Sequence, residues 1–264
     1  MKDKITSKVF SNLFIGLIFL FIYAPIISII IFSFNANSRS GTVWEGFTFR
    51  NYYNLFQSEE LMRSLFVTLL LAFSATIISV IVGTLAAISL VKYKRKTRSI
   101  IFAANDLPII NPDIVTAICL FLLFGVFMIP GGFGSLLIAH VAFCVPYVLI
   151  TVYPKVKSLD PNIVEAARDL GANSIQAIFK VIVPQLMTAI IASAAIAFTM
   201  SFDDFVISYF AIGDSSIQTI SLYLYSLKRG VDMQINALTT IIIVVITIIV
   251  VINYILTNRQ EEKE

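Results

Sequence analysis

Four aspartates interrupt apolar stretches of this sequence: Asp106, Asp113, Asp203 and Asp204. The last two stand together in Phe198-Thr-Met-Ser-Phe-Asp-Asp-Phe-Val. An ionised Asp at the centre of a membrane helix costs about 3 kcal/mol, so such residues face water or a partner and mark ion or solute paths. Adjacent carboxylates repel unless a cation lies near, and a cationic solute would supply one. Other chemistry is scarce. No Gly-Lys dipeptide occurs, which excludes a Walker A phosphate loop. His140 is the only histidine, so a His-Glu-x-x-His zinc site is excluded; Gly-x-Ser-x-Gly is absent too. His140 reads as a packed or hydrogen-bonded residue rather than a ligand or base. Cys119 and Cys144, both within apolar runs, read as thiols in lipid-facing or packing positions.

The elements that position these acids must lie in a membrane. Of 264 residues, 58% are hydrophobic and only 13% charged, against about a quarter charged in a soluble domain. Mean hydropathy is +0.90. A crossing takes ~20 apolar residues, and six runs qualify, at 10–34, 65–91, 100–128, 133–153, 185–211 and 237–257. The expectation is an all-α polytopic protein with one membrane domain over 1–264. Lys2, Lys4 and Lys8 precede the first run, but its length exceeds a signal h-region and no small-x-small site follows, so it reads as an uncleaved span. With the N-terminus inside, inner segments carry fourteen Lys and Arg, including the Lys92–Arg98 cluster, and outer segments five: Arg39, Arg50, Arg63, Lys228 and Arg229. The positive-inside rule then places both termini and the 154–184 loop in the cytoplasm. The net charge of +3 is mostly this topological signal, not a nucleic-acid surface.

The first span is rich in bulky residues, lacks a small-residue stripe and belongs on the outside of the bundle. The outer loop carries Trp44, and Phe49, Tyr52, Tyr53 and Phe56 suit a short helix with an aromatic face at the interface. Spans two and five carry small residues every fourth position: Ala75, Ser79, Gly83, Ala87, and Ala189, Ser193, Ala197, Ser201. These let backbones approach closely, whether for packing within the chain or around a pathway. At about 100° per residue, Asp204 falls on the mean direction of the second stripe and Asp203 about a quarter-turn away. Asp204 is therefore expected to face a passage whose field Asp203 and Asp113 shape. The alternative is that one acid caps a helix or pairs inside the protein.

In the third span, Asn111 can cap a helix restarting at Pro112 and running to about Met128. Such discontinuous helices often mark substrate sites, although Asp113 could equally answer a helix dipole. In the cytoplasmic loop, Asp160 and Pro161 start a helix reaching Leu170, and Gly171 supplies a left-handed stop. Asn173 with Gln176 matches a capping box for a second helix, and Pro184 marks the start of span five. A helix–Gly–helix hook of this kind is a good peg for a partner groove.

The stretch Glu165-Ala166-Ala167, with Gly171 and Pro184 on the required spacing, resembles the EAA loop of ABC importer permeases; Val181 and Val183 replace the usual Ile and Leu. Pro112-Asp113-Ile114-Val115, Ala139-His140-Val141-Ala142-Phe143-Cys144-Val145-Pro146-Tyr147 and Ser201-Phe202-Asp203-Asp204 resemble the spermidine/putrescine permease branch, PotC type. The resemblance implies the type I importer permease fold (MetI-like). It implies a substrate path touching Asp113, Ser201, Asp203, Asp204 and Trp44, and ATPase coupling through Glu165, Ala166, Ala167, Gly171 and Pro184. The implied partners are a second permease (PotB type), two cytoplasmic ATPases (PotA type), an extracytoplasmic polyamine-binding protein (PotD type) and the lipid bilayer. ATP and Mg would be bound by the ATPase, leaving this chain a non-catalytic subunit of a bacterial inner-membrane importer without a cofactor of its own. Carboxylates and aromatic faces suit flexible polycations by charge and cation–π attraction, as they would suit any organic cation. A cation-coupled secondary transporter would share the membrane acids but would not need the hook.

Overall fold

A computed structural model describes residues 2–36, 43–160, 162–227 and 233–261. Arg39, Pro161, Lys228, Arg229 and Lys263, which entered the charge and helix-start arguments, lie outside the described residues. The described chain is helical, with one isolated antiparallel bridge between Asn35 and Phe47. Contacts sort the helices into two compact units, residues 1–62 with 227–264, and residues 63–226.

The first unit contains α1 (Lys2–Phe32), α2 (Arg50–Gln57) and α13 (Met233–Glu261). No residue of α1 between Asn12 and Phe32 is buried, as its uniformly apolar surface requires. The short aromatic helix forms where the spacing puts it. Asn51 and Leu55, four residues apart, turn inward, and Phe49, Tyr53 and Phe56 stay exposed. Asn51 Nδ2 donates to the carbonyls of Ser33 and Asn35, both at 2.9 Å, satisfying the chain where α1 ends. Phe34, Phe47, Phe49 and Tyr52 then stack around the bridge at centroid distances of 5.1–6.3 Å.

Most of α3 (Glu59–Leu90) belongs to the second unit, with α4 (Arg95–Ile110), α5 (Asp113–Val126) and α6 (Phe133–Lys157). The cytoplasmic segment follows as α7 (Ile163–Asp169), α8 (Ser174–Ala177), a π turn over Ile178–Ile182, and α9 (Val183–Gln185). Then come α10 (Met187–Phe202), α11 (Val206–Ala211) and α12 (Ile220–Ser226). α6 is the central helix: 56% of its apolar window is buried, against 33% for α3.

Both small-residue stripes pack against α6 and are buried within the chain, apart from the half-buried Ala189. A Cβ on Gly83 would lie 2.6 Å from Val148, and Ser79 Oγ donates to Val141 O at 3.5 Å. On the other side Cys144 Sγ contacts Ala197 O at 3.6 Å. Lipid gives helices no hydrophobic reason to associate, so close backbone approach and dispersion hold this layer together.

Among the described residues, three single helices are long and apolar enough to cross a bilayer, and bent pairs raise this to as many as five. α13, with its apolar stretch Met233–Ile248, falls on the sixth expected run. Two runs depart from straight spans. α4 and α5 meet at 108° around Asn111-Pro112. The fifth run is helical only to Phe202, opens over Asp203–Phe205 and restarts as α11, whereas the sequence suggested a continuous helix to 211.

Candidate functional site

The opening between α10 and α11 sends its two acids in different directions. Asp203 is the C-cap of α10, its amide donating to Thr199 O at 3.2 Å, and it is exposed. Asp204 turns inward. Its Oδ1 accepts from the Ile207 amide at 3.1 Å and its Oδ2 from the Ser208 amide at 2.7 Å, so it caps the start of α11; its side chain is only 7% exposed. Asp204 keeps the direction of the stripe, since it and Ser201 meet the same His140 ring, but that face is packed against α6 and is not the open passage expected. Of the two alternatives in the sequence, an acid capping inside the protein describes Asp204.

The inward partner is His140. Its Nδ1 and Ser201 Oγ share a hydrogen bond at 2.7 Å; its Nε2 lies 3.0 Å from Ser208 Oγ and 3.6 Å from Asp204 Oδ2. His140, Ser201 and Ser208 are all buried. The bonded, packed role expected for His140 is what the structure shows. Its partners were not legible in the sequence, and Ser208 was missed altogether. The only signal available was a polar side chain of each kind facing an apolar span.

Asp113 lies exposed in the first turn of α5. The helix starts one residue later than expected: Pro112 is its N-cap, and Asn111 instead closes α4, its amide donating to Leu107 O at 3.1 Å. Asn111 is followed by proline, which disfavours helical backbone before it, so it takes extended geometry at ψ 144°. Trp44 belongs to the first unit and is exposed. Asn35 holds the loop on either side of it, donating to Val43 O at 2.6 Å and accepting from the Glu45 amide at 2.9 Å.

The hook forms as its residues suggest. Gly171 adopts φ +86° after α7, its amide donates to Arg168 O at 2.8 Å, and the Ala172 amide donates to Ala167 O at 3.0 Å. This Schellman pattern needs the left-handed backbone that glycine tolerates. Asn173 and Gln176 exchange bonds at 2.8 and 3.0 Å, closing the capping box. Ala167 and Ala177 are buried between the short helices, and Glu165, Ala166 and Pro184 are exposed. Leu170, Ile175 and Phe179, which the sequence reading did not single out, are 90%, 68% and 60% exposed. The base of the hook borders a cleft of about 420 Å³ shared with the ends of α3 and α6, where Lys92, Lys157, Arg168, Asp160 and Glu165 meet apolar side chains.

Residues 79–262 match the family described as the binding-protein-dependent transport system inner membrane component. The chain belongs to this family. Among its relatives, the spermidine/putrescine transport system permease protein PotC of Haemophilus influenzae is 36% identical over 249 residues, which cover 94% of this chain and 96% of the relative. PotC of Escherichia coli K12 is 37% identical, covering 87% and 86%. The putrescine transport system permease protein PotI of Escherichia coli K12 is 36% identical, covering 93% and 89%. A crystal structure of a bacterial ABC transporter involved in alginate import superposes with a TM-score of 0.76 at 18% identity, covering 96% of this chain and 98% of that one. That likeness carries the fold alone. As a member of the family, this permease is a multi-pass membrane component of an ABC importer assembly.

Proposed function

We propose that this permease passes polyamines of the spermidine and putrescine class, acting as one membrane domain over 1–264 that forms half of the translocation pathway. The reading rests chiefly on the 36–37% identity to polyamine permeases across most of the chain. The exposed Asp203 and Asp113, each at a helix interruption, supply the anionic groups a polycation needs. Trp44 offers an aromatic face, and Ser201 and Asp204 shape the break from within.

The other half of the pathway is a PotB-type permease, and an extracytoplasmic PotD-type protein delivers the solute. Two PotA-type ATPases bind ATP and Mg and do the hydrolysis; the permease itself is not an enzyme and carries no cofactor. Both termini and the 154–184 loop face the cytoplasm of a bacterial cell. Glu165, Ala166, Ala167 and Gly171 form the peg that enters the ATPase groove, Pro184 joins it to span five, and the exposed Leu170, Ile175 and Phe179 give the peg its apolar contact.

The test is reconstitution of the complete complex in liposomes. Spermidine uptake that needs internal ATP is the expected result, while this chain alone transports nothing and hydrolyses no ATP. Uptake by the isolated chain, or uptake driven by an ion gradient without ATP, would contradict the reading.

A further inference from the structure

α11 has six residues, too few to hold a helix in isolation. α6 fixes it at two points: the His140 ring meets Ser208, and Ser135 Oγ donates to Ala211 O at 2.7 Å. The other nitrogen of His140 binds Ser201 in the last turn of α10. One buried ring therefore grips both sides of the opening, with Asp203 and Asp204 between its two serines. Holding Ser201 and Ser208 at one ring constrains the backbone that carries the acids. Asp204 is then drawn in, both oxygens spent on amides of α11 and one of them 3.6 Å from the ring. Asp203 is left exposed.

We infer that His140 is a positioning residue for the solute path: by bridging α10 and α11 it commits Asp204 to capping and leaves Asp203 as the carboxylate that meets the cation. The kinetic part of this inference rests on the polyamine reading; the geometric part does not.

Two measurements on the complete complex test it. In a chain carrying Cys119→Ala and Cys144→Ala, Asp203→Cys should react with a small membrane-impermeant maleimide about tenfold faster or more than Asp204→Cys, because access controls thiol reactivity. Adding His140→Leu should bring the two rates together. In spermidine uptake, Asp203→Asn should raise KM by about tenfold or more, while Asp204→Asn and His140→Leu should lower Vmax and leave KM within about twofold. The Asp204→Asn, His140→Leu double variant should be no worse than its worse parent, since both act through one network. His140→Gln retains a polar atom near the Nε2 position and should recover part of Vmax. If His140→Leu fails to assemble, Ser208→Ala, which removes the ring's partner on α11, carries the same comparisons. Equal labelling at 203 and 204 in the otherwise native complex overturns the inference, as does a KM rise in Asp204→Asn that multiplies with the His140→Leu loss. A wild-type complex that takes up no spermidine contradicts the substrate reading instead, because labelling needs no solute.

Discussion

Within the hook, the side-chain hydrogen bonds span six residues or fewer: Arg168 to Ser174, Asn173 with Gln176, and the Asn162 amide to Asp160. Across the opening after α10, the His140 ring reaches partners 61 and 68 positions away, and Ser135 reaches one 76 away. Both regions join helices; the hook exposes Asp160, Glu165 and Asp169, and the opening exposes Asp203. The hook is made from its own residues and leaves Leu170, Ile175 and Phe179 exposed at its surface. The opening is held from α6. A peg must keep its shape while something outside pulls on it, and local bonds suit that task. An acid in a membrane must face one chosen direction, and only a neighbouring helix can choose it.

The largest effect is expected where the hook's local design is broken. Gly171→Val places a β-branched residue at φ +86°, a region such side chains rarely occupy. The Schellman turn should fail, the ATPase should no longer co-purify, and uptake should fall to background with the spans still folded. Glu165→Lys leaves the backbone alone and reverses one exposed charge. It should keep partial assembly and lower uptake by about tenfold, equivalent to ~1.4 kcal/mol of lost coupling. Co-purification and transport measured together check both, and wild-type behaviour in both variants would remove the hook from the coupling route.

The same contrast governs what could be read from the sequence. The runs that became α1, α3 and α6 were visible in composition, because lipid demands about 20 apolar residues whatever the fold. The hook was visible because Gly171, Asn173 and Gln176 act on backbone within a few residues of themselves. The interruption at Pro112 was visible for the same reason; its 108° turn was not, since an angle depends on what α5 packs against. Asp204 points the way the wheel gives, with Ser201 toward His140; that this face is packed against α6 and not open is set by elements far away in sequence. A polar His140 in an apolar span hinted at a bond, yet its serines lie on other elements that only the fold brings near.

A middle-sized effect should come from the far end of the α6 anchorage. Gly131 lies against the turn after α11 so closely that a Cβ would sit 2.4 Å from Ile212 O and 2.8 Å from Gly213 Cα. These are backbone atoms without a rotamer to yield, so Gly131→Ala must shift one chain segment against the other. A cost of about 1–3 kcal/mol is typical of such overpacking. The purified complex should melt at lower temperature and uptake should drop several-fold, with ATPase co-purification retained because the hook is untouched. An unchanged melting temperature would mean that the turn moves freely and adds nothing to the anchorage of α11.

The smallest effect should come from the hook's capping box. Asn173→Ala removes the acceptor for the Gln176 amide, the bond of 2.8 Å that starts α8. Losing an N-cap costs about 1 kcal/mol. The site is exposed, however, so water can replace the lost acceptor. The Schellman turn at Gly171 still reverses the chain, and the buried Ala167 and Ala177 still pack the two short helices. The peg should therefore fray at 174–177 without losing its place. Amide exchange there should rise in the uncomplexed permease, and docking of the ATPase should suppress it. Uptake should stay within about twofold, since ~1 kcal/mol of fraying is offset once the groove closes around the peg. A loss as large as that of Gly171→Val would show that the hook is shaped as one cooperative unit with its partner, and the contrast with the α6-held opening would weaken accordingly.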